Sequence, residues 1–333
     1  MTITEAEFLR REFGIVYTSI VPNQLKEMSR NEEQIVLVTQ NVQIWQDVLS
    51  KISLPVIVFL IGNETYDSSK YLALDKVPNI RHAFVYNPPL KPKLKTSFLT
   101  AFGYILDGGL RSHEVAGSVW RDFRISLGRR NAANKACIRT PYTNLNQGYS
   151  NNFAVNFARS QGISEHESFL NFELSRRSFT RDRLLELQFM GQKTNRRREN
   201  VIRNALKYGA KVSITSNFGG THIVYDSSYV NSLLESKFTV IPPGHYNNFN
   251  HRYAESLICG SIPLILANNS LDPTPNTNWT QKLPFPKSVS VKHQIRFLLK
   301  MTNDEQMEIW RTAYLEFERE IQVIRRVLME HLK

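Results

Sequence analysis

Short apolar runs alternate with amphipathic stretches between Leu185 and Leu266, and no other feature of the chain constrains its fold so tightly. "LELQFMG" (185–191), "KVSITS" (211–216), "KFTVIP" (237–242) and "IPLIL" (262–266) read as strands. Between them, "NRRRENVIRNALKYGA" reads as a helix with Ile202, Ala205 and Leu206 on its apolar face and Gly209 as its stop. "SSYVNSLLES" reads as a short helix with Tyr229, Val230 and Leu233 inward, and "NHRYAESLICG" as another. Strands that are apolar on both faces, each followed by a helix, predict a parallel sheet covered on both sides.

The rest of the chain extends that plan. "QIVLVT" (34–39), "LPVIVFLIG" (54–62) and "IRHAFVYNPP" (80–89) predict three more strands, with a helix over "VQIWQDVLSK" between the first two. The order of elements in residues 97–180 is not legible. A helix is expected near Val291–Lys300, then a long terminal helix opened by a Thr302–Glu305 capping box. The expectation is therefore two Rossmann-like α/β domains, 1–180 and 181–333, with the boundary near Arg176–Arg183, after the helical "SEHESFLNFELSRRS".

Composition narrows the functional classes. A length of 333 residues suits two domains, and 41% hydrophobic with 22% charged residues is a globular balance. The longest apolar run, Leu54–Ile61, is too short to cross a bilayer. "MTITEAEFLRREFG" lacks the basic start and apolar centre of a secretory signal, and Cys137 and Cys259 make neither a disulfide framework nor a metal cluster. A cytoplasmic protein is expected. The net charge of +12 gathers in clumps: Lys91–Lys95, Arg176–Arg177, Arg196–Arg198 and Arg325–Arg326. Each clump reads equally as a solvated face. Together they attract nucleic acid, anionic lipid or phosphorylated small molecules. The basic helix lacks the aromatic residues that stack on bases, which disfavours a nucleic-acid partner.

Between two buried strands lies "PPGHYNNFNHRYAE" (242–255). In open parallel sheets ligands bind where strands end and helices begin. Gly244 permits close backbone approach there, and Asn250 is a good N-cap for the helix carrying Arg252 and Glu255. Those two residues are three apart and share a face. Arg252 offers a fork for phosphate oxygens beside a helix N-terminus, and Glu255 an acceptor for a ribose diol. The same spacing also fits a plain helix-stabilising ion pair. His245 and His251 flank the pair.

"VIPPG…HRYAESLICGSIPLIL" resembles the signature of exostosin-like glycosyltransferases and the related ribitol xylosyltransferase-like proteins. The shared features are an apolar strand, Pro-x-Gly, Arg252, Glu255, a small-residue turn and a buried strand; Pro243 stands where exostosins often have Arg. "FMGQKTNRRRENVI" is similar to the family's second phosphate segment and nominates Gly191, Arg196 and Arg197. "VIVFLIGNETYD" is similar to its strand followed by Gly-Asp-Glu, and nominates Glu64 as general base with Asp67 second. The resemblance covers roughly residues 190–270 and, faintly, 55–90.

That resemblance implies a GT-B fold, two Rossmann-like domains facing a cleft, and inverting transfer from a nucleotide-sugar, with a uridine diphosphate sugar as the expected donor. The acceptor would be a glycan or lipid-linked glycan. No cofactor is expected, because the nucleotide-sugar is a substrate. No metal is expected either, because no two aspartates stand two apart as in the Asp-x-Asp of GT-A enzymes. Peripheral contact with an anionic inner membrane face is open to so basic a chain. The rival readings are a nucleotide-sugar- or glycan-binding pseudoenzyme on the same fold and, behind it, a nucleic-acid-binding protein.

Overall fold

The computed structural model describes residues 6–15, 33–61, 68–86, 138–145, 148–164, 167–180, 182–191, 196–214, 227–242, 251–265 and 291–332. Within them the protein is α/β, with two four-stranded, wholly parallel sheets. The first sheet contains β1 (Ile35–Thr39), β2 (Val56–Leu60), β3 (Ile80–Tyr86) and β4 (Tyr142–Leu145), in that spatial order. The second contains β5 (Leu185–Gly191), β6 (Lys211–Ile214), β7 (Ser236–Ile241) and β8 (Ile262–Ile265), in the order β6-β5-β7-β8. The helices are α1 (Ala6–Phe13), α2 (Gln46–Leu49), α3 (Ser68–Leu72), α4 (Asn151–Gln161), α5 (Phe172–Thr180), α6 (Arg196–Leu206), α7 (Ser228–Leu234), α8 (Arg252–Ile258), α9 (Val291–Leu298) and α10 (Asn303–His331).

Side-chain alternation along the first sheet sorts its residues into two cores. Ile35, Leu37, Val56, Val58, Leu60, Ala83 and Val85 face the crossover elements, packing on Val42, Trp45, Leu49, Tyr71, Leu74 and Val77. Val38, Ile57, Phe59, Phe84 and Leu145 face the other way. They meet α1 through Phe8 and α4 through Phe153 and Phe157, in a core that continues into the second sheet. Phe59 stacks on Phe84 with centroids 4.5 Å apart. A strand buried on both faces, such as β2, needs apolar residues at every position, which is why its sequence reads as an unbroken run.

The terminal helix α10 begins at the predicted capping box, with Thr302 and Glu305 each bonding the other's backbone N–H. Trp310 sits between Phe172 and Phe179, at centroid distances of 5.8 and 5.1 Å, and its indole N–H donates to the Leu257 carbonyl. Farther along, Arg325 reaches the buried carboxylate of Glu12 on α1 at 2.6 Å. Glu12 also accepts from the Tyr149 hydroxyl, the Ser168 hydroxyl and the Phe169 N–H. At the end of α10 the His331 ring stacks on His82 of β3, 4.4 Å between centroids. One helix therefore touches both sheets.

Three expectations need correction. Leu206 points outward and is 53% exposed; the buried face of α6 is Arg198, Val201, Ile202 and Ala205. The stretch 164–178 becomes helical only at Phe172. Helix α8 starts at Arg252 with His251 in the cap position and no side-chain cap bond, so the cap is not Asn250. Among the described residues no helix is long and apolar enough to cross a membrane.

Candidate functional site

The order β6-β5-β7-β8 creates one switch point. The connection leaving β5 turns toward β6, and the connection leaving β7 turns the opposite way, toward β8. A crevice opens between the carboxyl ends of two such neighbours, and ligands of parallel sheets settle there. Among the described residues the first sheet, in simple order β1-β2-β3-β4, has no equivalent.

Gly191 closes β5 at this point, with φ +153°. Its missing side chain is occupied by a guanidinium: a β-carbon there would lie 2.5 Å from Nη2 and 2.6 Å from Nη1 of Arg252. Arg252 is the first residue of α8. Its Cζ lies 5.9 Å from the ring centroid of Phe189 and 5.9 Å from that of Tyr229. Arg198, two residues into α6, places its own Cζ 5.8 Å from the same Phe189 ring. Two guanidiniums thus share the aromatic floor supplied by β5, an arrangement favoured by the negative face of the ring. Arg198 is buried, and burial, with the charge of Arg252 as the smaller cause, lowers its pKa to about 9. Arg198 still carries its proton at neutral pH, so the two guanidiniums concentrate positive charge at low local dielectric.

Glu255 lies one helical turn from Arg252 and is 2% exposed. One carboxylate oxygen accepts from the Ser150 backbone N–H at 3.0 Å and from its hydroxyl at 2.8 Å; the other accepts from the Tyr229 hydroxyl at 2.7 Å. Burial, and then the Glu255 charge, hold the Tyr229 phenol well above its usual pKa, so it remains a donor. Ser150 is meanwhile the N-cap of α4, accepting from the Phe153 N–H. The carboxylate expected to meet a ribose diol is therefore held by three protein donors. It pins α8, and with it Arg252, to α7 and to the start of α4.

At the opposite end of α8, Gly260 adopts φ +72° and turns the chain into β8. A β-carbon there would meet the Phe179 backbone N–H nitrogen at 2.5 Å. Arg183 closes this corner by donating to the carbonyls of Cys259, Ser178 and Ser236. Both ends of the short helix are thus fixed by contacts that a side chain at Gly191 or Gly260 would disturb.

Of the residues expected from sequence, Gly191, Arg252 and Glu255 converge at the end of the second sheet. Arg196 and Arg197 open α6 at the same edge; their side chains lie outside the described residues, as do Gly244, Asn250, His245, Glu64 and Asp67. Sequence reasoning passed over Arg198, although a signal was there. It stands at i, i+3, i+4 and i+7 with Val201, Ile202 and Ala205, in phase with the buried stripe. Ser150 and Tyr229 carry no such signal, because their link to Glu255 spans 105 and 26 residues. Comparison of the chain with models of known protein families, with curated proteins and with solved structures finds no match.

Proposed function

We propose that the protein is an inverting, metal-independent glycosyltransferase of GT-B organisation. It would move a sugar from a nucleotide-sugar, with a uridine diphosphate sugar as the expected donor, to a glycan or lipid-linked glycan. The observation that carries this reading is the pair Arg198 and Arg252 over Phe189, beside Gly191, at the switch point of a parallel sheet. A diphosphate is the natural guest of two fixed guanidiniums. As the bond from the anomeric carbon to the leaving oxygen breaks, negative charge grows on that diphosphate. Cations already in place stabilise the transition state without reorganising, and contribute more there than in the ground state. The mutual repulsion of Arg198 and Arg252 is relieved when the anion sits between them.

In this reading Glu255 positions Arg252 rather than touching the donor. The acceptor hydroxyl attacks the anomeric carbon and gives its proton to a carboxylate, Glu64 first and Asp67 second, on the segment that follows β2. The test is release of nucleoside diphosphate from a panel of nucleotide-sugars with and without glycan acceptors, in excess chelator, alongside thermal shift with the free nucleotides. Acceptor-dependent release that is lost in Arg252→Ala supports the enzyme. Binding of nucleotide without release at any acceptor turns the reading to the donor-binding pseudoenzyme, and binding of neither turns it down.

A further inference from the structure

Two short motifs outside the site repeat one pattern: Arg203-Asn-Ala-Leu206-Lys207 at the end of α6 and Arg296-Phe-Leu-Leu299-Lys300 at the end of α9. In each, Arg, Leu and Lys stand at i, i+3 and i+4 and so line one helix face. All six side chains are exposed, with Leu206 at 53% and Leu299 at 40%. The two helices pack together, and the Arg296 guanidinium lies 5.9 Å from the ring centroid of Tyr208, which follows the first motif directly. The motifs therefore lie side by side on one surface. Exposed Lys211, at the start of edge strand β6, adds a fifth cation. Segments 201–214 and 291–300 contain no Asp or Glu; the nearest acids in sequence, Glu199 and Asp304, fall outside both motifs.

Cations in the last turn of a helix offset its dipole, which accounts for Arg and Lys but not for the leucine held out between them twice. Bases would want open stacking aromatics; Tyr208 is only partly exposed and is already covered by the Arg296 guanidinium, and the exposed apolar residues of the motifs are aliphatic. A second copy of the chain would bring five positive charges against five. A bilayer with anionic headgroups satisfies both halves of the pattern: lysine and arginine reach the headgroups while leucine enters the acyl boundary. We infer that the paired Arg-x-x-Leu-Lys motifs of α6 and α9 are a docking surface for an anionic membrane. This inference stands independently of the catalytic reading.

Sedimentation of the full chain with phosphatidylcholine vesicles, with and without phosphatidylserine, at physiological salt tests it. The wild type is expected on the mixed vesicles and not on the neutral ones. Lys207→Glu with Lys300→Glu is expected to lower partitioning at least about 25-fold, from about fivefold per cation at the surface. Leu206→Ser with Leu299→Ser is expected to weaken binding while leaving its salt dependence in place. Exposed positions keep the fold, which melting curves verify. Full vesicle binding by the charge-reversal variant overturns the inference. So does a wild type that ignores mixed vesicles, binds RNA instead through these lysines, or forms a dimer that the serine variant breaks.

Discussion

The space that a side chain would fill at Gly191 is taken by the guanidinium of Arg252, 2.5 Å from where a β-carbon would stand. Gly191→Ala forces that guanidinium to move, because strand β5 holds the backbone, and it strains a positive-φ residue by about 1–3 kcal/mol. The variant is expected to fold with lowered melting temperature and to lose nucleoside diphosphate affinity by about tenfold or more, the worth of one charge-assisted bond. Calorimetric titration gives the answer; unchanged affinity would show that the displaced guanidinium is not a ligand.

Arg198 invites an opposite pair of effects. A buried cation depressed by burial and by Arg252 is costly to the folded state. Arg198→Met keeps the volume and removes the charge. Stability without ligand is expected to hold or rise by about 1 kcal/mol, while diphosphate affinity falls, the usual trade at a binding site. A variant that loses stability and keeps affinity would mark Arg198 as a packing residue.

Glu255→Gln puts an amide N–H₂ where one of two acceptor oxygens stood, facing Ser150 or Tyr229 donors. The expected loss is about 1–3 kcal/mol in urea unfolding. A cycle with Tyr229→Phe should show coupling, since one contact is shared. Additive losses would mean that the Tyr229 hydroxyl does not depend on the carboxylate.

His82 supplies a pH dependence. Burial, and secondarily the stacked His331, lower its pKa from 6.5 to about 4. The folded state therefore keeps a neutral imidazole where the unfolded chain binds a proton. Its contribution is complete above about pH 6.5, is lost as pH falls from 6.5 to about 4, and is flat below, at most about 3 kcal/mol in all. Urea midpoints should drop between pH 7 and pH 5. His82→Phe should flatten that drop, whereas His331→Gln should only reduce it, because burial is the larger cause.

The elements legible in the sequence are those with a strong local signal. Strand β2 announces itself because both faces need apolar residues, β5 and β7 because a short, mostly buried run ends at a Gly or a Pro, and α10 because its capping box is local. Strand β4 escaped notice: Tyr142, Thr143 and Asn144 are exposed or half-buried on a sheet edge, so no apolar run marks it. The site divides along the same line. Arg252 and Gly191 stand in readable strand-to-helix turns. The partners of Glu255 come from α7 and the cap of α4, and only the folded chain brings them near. Arg198 was visible in the helical period but was hidden within a run of three arginines.

Glu12 and Arg325 meet across 313 residues of chain. During synthesis at about 5–20 residues per second, the carboxylate waits on the order of 15–60 s for its cation. For the second half of that interval, once residues 149–169 have been made, α1 has Tyr149, Ser168 and the Phe169 N–H to hold a charge that burial would otherwise penalise. The first sheet and its helices are thus offered to the cell's folding machinery without their final tie. Hydrogen exchange at α1 in a chain truncated before Arg325 would record what the ribosome sees: a first half already shaped, its amino-terminal helix still opening until the last helix arrives.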